Sequence, residues 1–177
     1  MKAFALAILS GFSLSVAVGA EPDGKLSLPD FAALTSQASD SISITLDAPL
    51  LSLAARFLDN DDPQDAAVRD IIGDLHGIYV KSYTFDRDFV YPPGSIDAVR
   101  RQLLTPAWQQ IVGVHSARAR STVDIFVCQV QSKTRGLAII ATEPRQFTIV
   151  NIVGSIDLNK LHRLEGHFGI PKLTPAQ

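Results

Sequence analysis

Four apolar runs, Trp108–His115, Val123–Val130, Leu137–Thr142 and Phe147–Val153, follow one another with only short polar connections between them. Those connections are Ser116–Thr122, Gln131–Gly136 and Glu143-Pro144-Arg145. Each run has strand length, and parallel strands need a crossover of about a dozen residues or more. Connections this short therefore predict an antiparallel meander.

The residues before the meander alternate between the two periods. Ile42, Ile44 and Leu46 alternate with Ser43 and Thr45, the pattern of a strand with one buried face. Asp47 and Pro49 then open a helix over Ala48–Leu58, on which Leu50, Leu53, Ala54 and Phe57 recur. Asp62, Pro63 and Asp65 start another, carried by Val68, Ile71, Ile72 and Leu75 and ended by His76-Gly77. Ile78–Phe85 reads as a strand. Pro92-Pro93-Gly94-Ser95 forms a loop ending in a cap for a helix with Ile96, Val99, Leu103 and Leu104. After Gly154, Asp157 caps a last helix bearing Leu158, Leu161, Leu164 and Phe168, terminated by Gly169 and Pro171.

The order is β-α-α-β-α-β-β-β-β-α. It implies an α+β fold: a two-layer protein with a mainly antiparallel sheet of about five to six strands and helices packed on one face. Residues 41–171 form the single domain, residues 21–40 a flexible lead-in, and residues 172–177 a C-terminal tail.

The late strands do not alternate cleanly. Ile125-Phe126-Val127-Cys128, Leu137–Ala141 and Thr148–Val153 are apolar on both faces. Either the helices divide between two covered faces, or one apolar face meets water and marks an interaction surface. Val127, Ile139, Ile149 and Asn151 are the candidate residues of such a surface.

The first residues read as a secretory signal peptide. Lys2 precedes the apolar stretch Ala3–Val18, and Val18-Gly19-Ala20 places cleavage after Ala20. The stretch is short for a membrane span, so no span is expected after cleavage. The only cysteine, Cys128, lies too far downstream for a lipoprotein signal and reads as a buried small hydrophobe. The chain is 46% hydrophobic with a net charge of −2, which excludes a disordered chain and argues against a nucleic-acid partner. The expected destination is the periplasm or the exterior.

No motif carries a recognisable chemistry. A calcium loop starting at Asp59 would have Pro63, Gln64 and Asp70 at its fifth, sixth and twelfth positions, where an oxygen ligand, Gly and Glu belong. Helix capping explains the cluster. His162 and His167 stand five apart around Glu165, so their rings diverge by about 140° on a helix. They lack the four-residue spacing of a zinc protease. Ser155 lacks the glycine two residues later that a nucleophile elbow requires. Arg118, Arg120 and Arg145 sit in connections that fall at a different end of the meander from Lys133 and Arg135, or on the same rim if the turns are long; they read as a solvated rim, with an anionic lipid or glycan phosphate contact as the alternative. No cofactor or metal is implied.

The residues nevertheless resemble a known family. Gly136–Pro144, Thr148–Asp157 and Leu161–Pro171, with Gly77–Phe85 and Trp108 near Ile111-Val112, resemble domain of unknown function family 4252. Its members are bacterial, mostly exported proteins without an assigned activity. The resemblance covers Ser41 to Pro171 and implies no functional residues.

The expected function is non-enzymatic: binding of another protein or an envelope component through the late strands or their edge. The alternatives are a hydrolase-type site assembled from His76 or His115 with Asp86, Asp88 or Asp124, and a self-associating structural protein that pairs through an apolar face or an edge strand.

Overall fold

The computed structural model describes residues 23–58 and 62–156. Its elements are α1 (Ala32–Thr35), β1 (Asp40–Asp47), α2 (Ala48–Ala55), α3 (Pro63–Gly73), β2 (Leu75–Thr84), α4 (Asp97–Leu103), β3 (Trp108–Ser116), β4 (Ser121–Val130), β5 (Lys133–Glu143) and β6 (Gln146–Gly154). The last helix expected after Asp157 lies outside the described residues.

The strands form one antiparallel sheet in the order β1-β2-β6-β5-β4-β3. The meander β3 to β6 is present as its connections require. The turn between β4 and β5 puts Gln131 and Ser132 at positive φ, the backbone of a tight hairpin. β2 pairs with β6, which places the first two strands on the far side of the meander.

Local rules account for most element ends. The Asp47 side chain accepts the Leu50 amide at 3.1 Å and caps α2, with Pro49 in its first turn. Arg69 of α3 donates to the carbonyls of Ala55 and Leu58 and ties α3 to the end of α2. Two expectations are corrected. Gly77 does not end α3; it lies within β2, opposite Asp47 on one side and Val153 on the other. Ser95 does not cap α4. Ile96 takes the cap position without a side-chain bond, and the Ser95 hydroxyl donates to the Pro92 carbonyl.

The two-sided strands have two-sided cover. Leu51, Val68, Ile71 and Ile72 from α2 and α3 pack with Ile78, Val80, Val127, Leu137, Ile139, Val150 and Ile152 on one face. Leu34 of α1, Val99 and Leu103 of α4, and Leu26 and Phe31 pack with Tyr83, Ala138, Ile140, Phe147 and Ile149 on the other. The helices are thus divided between the faces rather than gathered on one. Nor are residues 23–39 a free lead-in. Leu26, Phe31 and Leu34 are buried, each removal from water contributing roughly 1.5–3 kcal/mol.

Asn151 fixes that segment. Its side chain accepts from the Leu26 amide at 2.8 Å and donates to the carbonyls of Gly24 at 2.9 Å and Leu137 at 3.1 Å. One buried amide in β6 therefore holds residues 24–26 across β5 and β6 as a strap.

Candidate functional site

The four residues proposed as an interaction surface are core groups. Val127 and Ile139 belong to the cluster under α2 and α3, and Ile149 to the opposite one. Asn151 is buried beneath the strap, its polar atoms bonded inside the protein. These side chains are spent on packing, so surface chemistry has to be sought at the rims of the sheet.

The sheet runs in straight cross-strand rows. Ile42, Ser82, Thr148, Ala141, Val123 and Val114 are successive partners across all six strands. The next row on the same face is Ile44, Val80, Val150, Ile139, Ile125 and Val112. The row centres are buried. Ser82 and Thr148, facing each other at 2.9 Å, satisfy one another there.

The row ends are open. Val112 is 37% and Val114 54% exposed on β3, and Ile42 is 54% exposed on β1. Ile111, pushed out at the bulge between Gln110 and Val112, is 48% exposed. β3 and β1 are the two outer strands, so one side of each backbone has no strand partner among the described residues. β3, Trp-Gln-Gln-Ile-Val-Gly-Val-His-Ser, contains no Lys, Arg, Asp, Glu or Pro. Those are the residues with which native edge strands discourage pairing. The sequence pattern marks this run as a strand, whereas its place at the outside of the sheet depends on the distant β2–β6 pairing.

The end of the sheet beyond β3 carries the largest charge cluster among the described residues. Asp88 is paired with Arg120 and, at 3.1 Å, with Arg145. The Arg120 and Arg145 guanidiniums hold its carboxyl below the ordinary carboxylate value. Tyr91 donates towards the carbonyls of Glu143 and Gln146, and burial pushes its phenol up to about 12. The loop between β2 and α4 is thereby clamped onto the β5–β6 turn. Arg118 is exposed in the β3–β4 turn at this end, whereas Lys133 and Arg135 begin β5 at the other.

The residues of the enzyme alternative are not brought together. His76 and His115 are exposed at opposite ends of the sheet, and among the described residues neither bonds to a carboxylate. Asp86 is exposed, Asp88 is held by its two arginines, and Asp124 accepts from Gln110 at 2.8 Å. Ser155 is exposed and its amide bonds to the Asp74 carbonyl. Among the described residues no cluster of His, Cys, Asp and Glu could hold a metal ion. Cys128 is buried, and that burial raises its thiol above the ordinary value. Asp59, His162, Glu165 and His167 lie outside the described residues.

With this geometry established, comparison with known protein families gives a match. The model of DUF4252, a domain of unknown function, matches residues 36–164. The chain belongs to this family. The matched range takes in the whole sheet, so both open edges belong to the DUF4252 domain. No curated protein matches the chain. Among the described residues of this DUF4252 protein, no helix is long and apolar enough to cross a membrane.

Proposed function

We propose that this DUF4252 protein is exported, released by cleavage after Ala20, and acts as a non-enzymatic binding module whose contact runs along the outer edge of β3. One observation carries the reading. A nine-residue edge strand exposes Ile111, Val112 and Val114 beside a backbone with no outer strand partner among the described residues, and it has no charged residue to deter a partner. An added strand would gain main-chain hydrogen bonds from that backbone and apolar contact from Val112 and Val114. The target is an extended segment of a protein or envelope component.

The test places a photo-crosslinking residue at position 114, and a control at the still more exposed position 104 just past the end of α4, in protein exported by its own host. Label confined to position 114 and mapped to one species supports the reading. Equal labelling at both positions, or none at 114, overturns it. Sequencing the N-terminus of the exported protein tests the export reading separately: it should begin at Glu21.

A further inference from the structure

We infer that the partner of β3 is β1 of a second copy of this chain. This deepens the reading that β3 is the contact surface and depends on it. Along the sheet strands alternate in direction, so β3 and β1 run oppositely. A copy displaced along the row direction thus presents its β1 antiparallel to β3 without being turned over.

Continuing the rows then sets the register. Val114 meets the neighbour's Ile42, and Val112 meets its Ile44, aliphatic against aliphatic on one face. The backbone phase agrees as well. In an antiparallel sheet each residue exchanges hydrogen bonds with one neighbour and not with the other. Five junctions separate Ile42 from Val114, an odd number, so the two residues offer the same kind of pairing outward. Charge agrees too. Asp40, two residues before Ile42, comes beside Ser116 and the turn that carries the exposed Arg118. This head-to-tail contact explains the apolar ends of both edges together. Pairing β3 with another β3 would leave Ile42 in water. A heterologous contact that does not close builds an open chain of copies.

The test uses the full chain after signal cleavage and sedimentation velocity across micromolar concentrations. Val114→Lys blocks the β3 edge and Ile42→Lys the β1 edge. Both sites are exposed, and circular dichroism would verify folding. Wild type should give a concentration-dependent series of species, and each variant alone a monomer. An equimolar mixture of the two variants should give a dimer and nothing longer. A dimer formed by Ile42→Lys alone would mean β3–β3 pairing and overturn the inference. A wild type that stays monomeric would also overturn it while leaving contact with a different protein intact. Charge reversal provides a second measurement. Asp40→Arg should weaken association a few-fold, and Arg118→Asp in the same chain should restore it. Absence of that rescue counts against the register.

Discussion

Asn151 and Leu26 are 125 residues apart, yet the Leu26 amide donates to the Asn151 side chain at 2.8 Å in the buried centre of the sheet. The same side chain donates to Gly24 and Leu137. Its removal orphans one amide and two carbonyls. Asn151→Ala should therefore destabilise the protein by about 3 kcal/mol, as expected when several buried polar groups lose their partners. Denaturant unfolding measures the loss. Hydrogen exchange should rise first in residues 24–31; uniform exchange throughout the sheet would contradict the role of Asn151 as the strap's anchor.

The strap crosses β5 at two facing glycines. Gly24 has φ +81°, and a Cβ there would lie 2.3 Å from the Arg135 carbonyl oxygen. A Cβ on Gly136 would lie 2.6 Å from the Gly24 carbonyl oxygen. Backbone cannot yield as a flexible side chain does. Gly24→Ala and Gly136→Ala should each cost roughly 2–4 kcal/mol, more than a glycine substitution in open space. The control is Gly73→Ala, where a Cβ meets nothing and thermal stability should hold or rise.

This strap also shows where the sequence stops being legible. The meander was readable because its short connections permit only antiparallel neighbours, and α2 because Asp47 and Pro49 mark its start. Leu26, Phe31 and Leu34 show no extended periodicity, and the group that fixes the strap lies 125 residues from Leu26, in the last strand of the sheet. Gly77 looked like a helix end because it follows a helical pattern. Tertiary pairing with Asp47 and Val153 draws it into β2, where the Tyr79 ring occupies the space a Cβ would need. The apolar runs in β4 to β6 were legible as buried, but which strand lay outermost was not. That order comes from β2 inserting beside β6, a contact no local pattern encodes.

Tyr91 predicts behaviour at alkaline pH. Burial raises its phenol from 10.0 to about 12, so the folded protein keeps a proton that the unfolded chain releases. Its contribution is complete below the unfolded value of 10.0 and is lost as pH rises through about 12. Tyr91→Phe removes the hydroxyl that clamps the loop to the β5–β6 turn and should cost about 1 kcal/mol at neutral pH. The variant's alkaline unfolding curve should also be flatter across that window. Curves that stay parallel would mean that Tyr91 does not titrate with unfolding.

Asp88 predicts the acid side. Hydrogen bonds from Arg120 and then Arg145 lower its carboxyl below the ordinary 3.8. Between that lowered value and 3.8 the unfolded chain binds more protons than the folded one, so stability rises with pH. The contribution is fully present above 3.8 and fades as pH falls through the folded value. Asp88→Asn should lower the melting temperature at neutral pH, and the gap from wild type should close as acid protonates the wild-type carboxylate. The pairs are exposed, so about 1 M salt should narrow the gap at neutral pH as well. A gap unchanged by both acid and salt would show that Asp88 acts by packing rather than by charge.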